Sequence, residues 1–521
     1  MKEFLQRHAS DVTGVLSGFD RLRLRGSLRV LCNVGGMMSF LSAVGVLLKD
    51  FKQYSLDVTN QIRDAVVELA ERAGKKVEFL PSSSQSKEDL ARDIARREKI
   101  EQGPVCFLSA VEPCMSFEVH RNRDTREIEL RGGERKCLHY YQYLIHPKLG
   151  FMNVRLQTWF PFTMHLCING REWLARDMDR AQLGYVRRDN CFTHLQDPQQ
   201  AQALMDRQLR TRWQPMLQQI ASAANPALEG VLKKFPVDYY WSAQESEWAT
   251  DILFKNAATL ERLYPSLIRH GMQSLGSTDV MRFLGQKLTA AGTINGNFIG
   301  EVVSDLKQRP EGMRLKHRVR KNWIKMYDKQ GSVLRVETVI TEPREMKVYR
   351  PKEGDAKGKK EWRYMRRGVA DLYRRGQTCQ KSNERYLQAM ASAQQKTPLA
   401  QVTEKLCRPT TLNGRRVRAL NPLGAEDAKL LEAVARGEFV VSGFRNRDLR
   451  QLLYGEAKTD AATLRRQSSA VTRHLRLLRA HGLIRKVPRT HRYMVNDKGR
   501  NAISALLAAR QADTATLAKA A

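Results

Sequence analysis

The stretch Leu464-Arg465-Arg466-Gln467-Ser468-Ser469-Ala470-Val471-Thr472-Arg473-His474-Leu475-Arg476-Leu477-Leu478 carries the most specific pattern in the chain. Leu464, Val471, Leu475 and Leu478 recur at the spacing of one buried helical face. The remaining surface shows Arg465, Arg466, Ser468, Ser469, Thr472, Arg473 and Arg476, which can donate to phosphates and base edges. Gly482 is placed to close the helix in a left-handed cap. Upstream, Leu430, Leu431 and Val434 mark one helix, and 448–453 a second behind the turn Gly443-Phe444-Arg445-Asn446. Downstream, Leu483-Ile484-Arg485-Lys486 and Arg492-Tyr493-Met494-Val495 read as strands joined by a basic turn with Pro488, Arg489 and His491. Residues 425–510 therefore predict helix, helix, long helix, basic hairpin, helix.

That order is similar to a winged helix-turn-helix, and the segment resembles the small bacterial regulators of the MarR and ArsR type. The resemblance implies a long helix in the major groove with a wing beside it. The expected DNA contacts are Arg465, Arg466, Ser469, Arg473 and Arg476 on the helix, and Arg485, Lys486, Arg489 and Arg492 on the hairpin. A basic three-helix bundle that holds a protein partner is the competing reading.

Working outward, the 521 residues predict two to four domains, and a hydrophobic fraction of 42% is enough to build cores. The formal charge of +34 attracts polyanions, of which nucleic acid, most simply DNA, is the expected partner. An anionic membrane surface is the rival, but no apolar run approaches the roughly 20 residues of a span. The opening Met1-Lys2-Glu3-Phe4-Leu5-Gln6-Arg7-His8 lacks the apolar core of a secretion signal, so a cytoplasmic location is expected. Self-association into a homo-oligomer stays open. Eight cysteines are scattered without C-x-x-C or zinc-like Cys/His spacing, and several, such as Cys106 in Val105-Cys106-Phe107-Leu108, read as small core residues. No G-x-S-x-G, Walker loop, H-E-x-x-H or dinucleotide glycine loop occurs.

The expected fold class is α+β multidomain. Residues 1–170 read as an α/β or α+β sheet domain, with helices at 51–73 and 87–99 and a run of strands from 104 to 168. Gly132-Gly133 and His146-Pro147-Lys148-Leu149-Gly150 are expected turns, and Asn169-Gly170 closes the run into a helix. Residues 171–296 read as helical, with Ser242 and Glu245 at capping-box spacing before Trp248, Ile252 and Leu253. A basic strand cluster with a helix follows over 297–396, then a connector, 397–424, and the terminal module. Asn153, Arg155 and Gln157 share a strand face that either lines a binding surface or is simply solvated. Trp159, Phe160 and Phe162 either pack or stack on a base, and the loop Asp189-Asn190 either joins a site or turns the chain.

In the strand cluster, Lys316, Arg318 and Arg320 line one strand, while Lys325, Tyr327 and Lys329 share a face of the next. Arg335 and Glu337 can sit across from them. With Trp323 and Tyr327 as platforms, Lys316, Arg318, Arg320, Lys325 and Lys329 are the expected contacts to a nucleic-acid backbone. The string Lys325-Met326-Tyr327-Asp328-Lys329 followed by Leu334-Arg335-Val336-Glu337 resembles, over about 25 residues, a strand pair of rolling-circle replication initiators. The resemblance implies a carboxylate that holds a divalent metal, Mg or Mn, beside a nucleophilic tyrosine. Glu337 would be that ligand and Asp20 its partner, both catalytic. The histidine pair of many such nickases is absent, since His165 has no second histidine two residues on. The tyrosine stays open among Tyr140, Tyr141, Tyr239, Tyr240 and Tyr327. A charged hairpin closed by cross-strand Lys/Glu and Arg/Glu pairs explains the same residues without catalysis.

Three functions follow. One is a DNA-binding protein of a mobile element or plasmid, with metal-dependent strand cleavage or transfer as its activity. The second is a non-enzymatic transcription regulator whose large N-terminal part senses or oligomerises. The third is an RNA-binding protein that uses the same basic surface.

Overall fold

The computed structural model describes residues 1–81, 85–122, 126–286, 300–309, 312–352, 358–391, 399–436, 443–455, 460–488 and 490–511, with isolated positions between these spans. Its strands are β1 (Val12–Ser27), β2 (Val77–Phe79), β3 (Gly103–Arg121), β4 (Ile128–His146), β5 (Gly150–Gln157), β6 (Met164–Asn169), β7 (Tyr185–Arg188) and β8 (Cys191–Leu195). They continue with β9 (Tyr240–Phe254), β10 (Val302–Arg309), β11 (Gly312–Val319), β12 (Asn322–Lys329), β13 (Val333–Ile340), β14 (Lys347–Arg350) and β15 (Glu361–Tyr364). Eleven of these form one sheet in the order β10-β11-β12-β13-β9-β1-β6-β5-β4-β3-β2, antiparallel except for β2 against β3. The architecture is mixed α+β.

Central strands are covered on both faces, which explains β13: every residue of Val-Leu-Arg-Val-Glu-Thr-Val-Ile is buried. Helix Leu372–Met390 crosses one face, where Asn383 Nδ2 donates to the carbonyls of Trp248 and Val336 at 3.1 Å each. Thr338 donates to Asn383 Oδ1 at 2.6 Å. Helix Gly170–Arg180 and the β7–β8 hairpin cover part of the opposite face and leave its centre as a cleft. Helix Phe51–Arg72 buries Val58, Ile62, Val66 and Ala70, a four-residue repeat, in the main core.

Several expectations change. The strand cluster expected as a separate unit continues the N-terminal sheet, because β9 pairs with β1 on one edge and β13 on the other. The helical reading of 240–254 fails for the same reason. Ser242 and Glu245 lie inside β9, whose Trp248 and Ile252 suit a strand face as well as a helix face. Two long-range ladders satisfy the backbone there, and tertiary pairing overrides the local signal. Gly132 and Gly133 do not turn the chain. They sit within β4 opposite Phe117 and Ser116, and a Cβ on Gly132 would stand 3.5 Å from the Phe117 ring. The connector 397–424 is structured where described: helix Leu399–Leu406 and the pair Thr410–Leu412 with Arg415–Val417 add Leu406, Val417 and Leu420 to the terminal core.

No single helix among the described residues is long and apolar enough to cross a membrane. One bent pair, Val34–Val44 with Leu48–Arg72, passes by length and composition, but Met37, Phe40, Leu41, Val58, Ile62 and Val66 of that pair are spent in the main core.

Candidate metal centre

The site begins with a bulge. Phe19 pairs with Trp248 and Leu22 with Ser246, so Asp20 and Arg21 on β1 together oppose the single residue Glu247 on β9. An extra residue in one strand re-aims its side chains. Leu16 and Gly18 face helix Pro198–Arg207, where Met205 packs, and Asp20 continues that face. After the bulge Arg21 lies on the same side as Asp20, and both line a cavity of about 540 Å³. Strand alternation brings Glu247 and Asp251 from β9, and Arg335 and Glu337 from β13, to this face. Lys325 and Tyr327 on β12 sit opposite Glu337 and Arg335.

Three carboxylates converge there. Oxygens of Asp20, Glu247 and Glu337 all lie within 4.8 Å of one another, and all three residues are buried. Like charges so close and so dry cannot all persist without cations. Lys325 Nζ is 2.7 Å from Glu337 Oε1 and 3.7 Å from Glu247, while Tyr327 donates to Glu337 Oε2 at 2.8 Å. Burial alone would raise the Glu337 carboxyl, but Lys325, Arg335 and the Tyr327 hydroxyl pull it down to about 2. Glu247 has no such donor: burial first, and then the Glu337 charge, push it up to about 8, with Arg21 at 3.6 Å. Asp20 is also raised, chiefly by burial. Burial opposes the Lys325 ammonium, but Glu337 and Glu247 outweigh it and hold it charged.

A second layer fixes the first. Arg335 is fully buried and grips Asp251 at 2.6 and 2.9 Å, with a third contact to Asp20 at 3.1 Å. Arg171, in the helix capped by Asn169, reaches Asp251 at 3.1 Å. Asn190 donates from Nδ2 to both Asp20 oxygens at 3.1 and 3.0 Å, and its carbonyl accepts from Arg335 at 2.9 Å. Asp20 is thus held by an arginine and an amide in the wall of the cleft.

Oxygen donors in threes suit a hard divalent cation such as Mg²⁺ or Mn²⁺. Donors about 2.1 Å from Mg²⁺ are roughly 3 to 4.2 Å apart, so the observed spread needs only slight closure. Lys325 stands where it compensates two of the three charges, and a bound ion would share or take over that role.

Glu337 and Asp20 are brought together as the sequence suggested, and Tyr327 is the tyrosine beside them. Tyr239 instead donates to the Phe162 carbonyl at 2.7 Å and Tyr141 to Glu112 at 2.5 Å. Two of the expected backbone contacts are corrected. Lys325 belongs to the carboxylate cluster, and Lys329, 4% exposed, is paired to Asp189 at 3.0 Å. A charge buried against a carboxylate is not available to track a phosphate. Lys316 stacks over Trp323 at 4.4 Å, and Arg318 and Arg320 are exposed. Asn153 and Arg155 line a cleft, whereas Gln157 is turned inward to backbone carbonyls. Phe160 and Phe162 pack in the core.

Glu247, Asp251 and Arg171 were not recognised from sequence. The helical reading of 240–254 hid the first two, and the alternation Glu245-Ser246-Glu247-Trp248 was the signal that a strand reading would have used.

In the terminal unit, helices Ala425–Val434, Asn446–Tyr454 and Ala461–Ala480 precede the strands Ile484–Lys486 and Arg492–Val495. Phe444–Arg445 pairs with the second strand, and helix Asp497–Gln511 follows. Val471, Leu475 and Leu478 are buried, Leu464 is half-buried, and Gly482 has φ 70. Arg465, Arg466, Ser469 and Arg473 are exposed and Arg476 half-buried; Arg485 and Lys486 are exposed and Arg492 half-buried. Arg489 lies outside the described residues. Ser468 and Thr472 are instead engaged by Asn446, at 3.1 and 3.0 Å.

The fold and site define a mixed-sheet protein with a buried three-carboxylate centre and a helical, basic C-terminal unit. No family model matches the chain, and neither a curated protein nor a solved structure matches it.

Proposed function

We propose that this protein binds DNA and cleaves or transfers a strand with a divalent cation held by Asp20, Glu247 and Glu337. The observation that carries this reading is the convergence of those three carboxylates, from adjacent central strands, on the floor of a cleft also lined by Arg21, Arg92, Arg309 and Arg314. Arginines around an acidic centre suit a phosphodiester: they draw the polyanion in, while the carboxylates would hold the cation that meets it. The cation would supply Lewis-acid polarisation of the phosphoryl group and acidification of a water. Lys325 neutralises the cluster, Asn190 and Arg335 orient Asp20, and Tyr327 holds Glu337.

The C-terminal unit is read as a winged helix-turn-helix that selects the site on duplex DNA, with Arg465, Arg466, Ser469, Arg473 and Arg476 as its contacts. Exposed arginines on one long helix, next to a basic hairpin, support it. A targeting unit joined to a strand-cleaving sheet fits a protein of a mobile element or plasmid.

The test is nicking of supercoiled and single-stranded DNA with Mg²⁺ or Mn²⁺. Wild type is expected to cut, and Asp20→Ala, Glu247→Ala and Glu337→Ala to lose at least 100-fold in rate. Cutting that survives EDTA, or survives all three substitutions, overturns the proposal. Cleavage of RNA in place of DNA would move the reading to an RNA enzyme.

A further inference from the structure

Beyond the acidic centre, the same face of the sheet opens into a larger cleft of about 1470 Å³. The two spaces share Arg21, Glu88, Asn153 and Cys167 and so form one continuous trough. Ten arginines and lysines line the larger part against three carboxylates. The row comes from β1, where the bulge sets Arg21, Arg23 and Arg25 on the cleft face while Leu22 and Leu24 pack into the core. Arg23 is 54% exposed, and Arg25 has no carboxylate partner among the described residues. Arg21 and Arg23 each meet one glutamate, Glu247 at 3.6 Å and Glu245 at 3.5 Å, and the cations of the wall still outnumber its carboxylates.

At the rim stands the two-stranded hairpin β14–β15, of which Arg350 and Tyr364 line the cleft while Tyr349 and Trp362 lie outside its lining. Lys347 pairs with Tyr364 and Tyr349 with Trp362, so these four side chains share one face. Tyr349, Trp362 and Tyr364 are 58%, 68% and 59% exposed, and the Tyr349 and Trp362 rings lie 5.8 Å apart. The hairpin's other face is anchored: Val348 and Arg350 are buried, and Arg350 donates twice to the Tyr364 carbonyl, at 3.1 and 2.8 Å. Three aromatic rings held outward on an anchored hairpin, beside Lys347, Lys352 and Arg363, contribute nothing to a core.

We propose that the arginine trough is a track for one unpaired strand of DNA, with Tyr349, Trp362 and Tyr364 as the platform on which its bases stack before the strand reaches the carboxylates. The inference rests on the strand-cleaving reading and specifies the form of its substrate. Cations along a groove with aromatic faces at its mouth are what a single strand needs, because only unpaired bases expose their faces for stacking. Duplex DNA has its base faces covered and can use only the charge.

The test measures anisotropy of a labelled 20-nucleotide oligothymidine and of a 20-base-pair duplex, in EDTA. The full chain carries Arg466→Ala and Arg473→Ala, which silence the terminal helix. Tighter binding of the single strand is expected, with Trp362→Ala weakening it about 5- to 100-fold and the duplex little changed. Arg23→Ala should lower the slope of log affinity against log salt by about 0.7. The track is overturned if Trp362→Ala with Tyr364→Ala leaves oligothymidine affinity unchanged, or if the duplex is preferred. Both substituted side chains are exposed, so folding is preserved, and an unchanged thermal midpoint verifies it. Since the assay holds no divalent cation, failure of DNA cleavage does not affect its outcome. Intact cleavage with hairpin variants of normal affinity sinks the track alone.

Discussion

Replacing Glu337 by glutamine tests whether the acidic centre is organised as described. Glu337 is 1% exposed, 2.7 Å from Lys325 Nζ and 2.8 Å from the Tyr327 hydroxyl. Glutamine keeps the shape and removes the charge. Breaking a buried ion pair from one side costs about 3 to 5 kcal/mol, because the remaining charge stays buried. Lys325 would keep Glu247 at 3.7 Å, which can take up part of the compensation. The expected loss is therefore about 3 kcal/mol, at the lower end of that range. Urea denaturation followed by tryptophan fluorescence at pH 7 in EDTA reads it as a shift in midpoint at unchanged slope. Lys325→Met is the companion: it leaves the carboxylates without their nearest cation. If the cluster is a metal site, Mn²⁺ should stabilise this variant by about 2.7 kcal/mol at 100 times its dissociation constant, and more than it stabilises wild type at the same concentration. A loss under about 0.5 kcal/mol for Glu337→Gln would refute the ion-pair reasoning. Failure of Mn²⁺ and Mg²⁺ to stabilise Lys325→Met would refute the metal site and leave a purely structural charge network.

Acid should unfold the sheet earlier than carboxylate titration alone requires. Burial lowers His317 to about 4, where its ring bonds Ser304 and Tyr386, and lowers His165 to about 3. Each folded value lies below the unfolded 6.5, so the unfolded chain binds more protons and stability falls as pH drops from 6.5 towards 4. His317 alone accounts for about 3 kcal/mol across that window, and His317→Gln should flatten the profile measured by urea midpoints. Gly18→Ala places a Cβ about 2.2 Å from Met205 and should cost about 1 to 3 kcal/mol by overpacking; Met205→Ala in the same chain should recover part of it in thermal melts. Arg466→Ala and Arg473→Ala should each weaken binding to a selected duplex by about 1 to 3 kcal/mol in electrophoretic shift assays, and equal affinity would remove that helix from the interface.

Local signals carried further than the topology did. The terminal helix was legible because Val471, Leu475 and Leu478 bury on a period that the sequence shows directly. Helix Phe51–Arg72 and the cap at Asn169 were legible for the same reason: spacing and capping are properties of neighbours in the chain. So was the facing of Lys325 and Tyr327 towards Glu337 and Arg335, because two strands joined by the turn at Gln330-Gly331 allow little choice of register.

What the sequence by itself determined about this protein is its strongly basic character, its helical terminal unit and the suspicion that Glu337 and Asp20 belong together. Only the tertiary structure decided that β1, β9 and β13, separated by more than two hundred residues and then by some eighty, lie side by side. That pairing converts a segment resembling a helix into one of the central strands, and it brings Glu247 between Asp20 and Glu337. A two-against-one bulge then turns Asp20 and Arg21 to the same face. Register between distant strands is set by the summed burial of whole faces, which no single window of sequence contains.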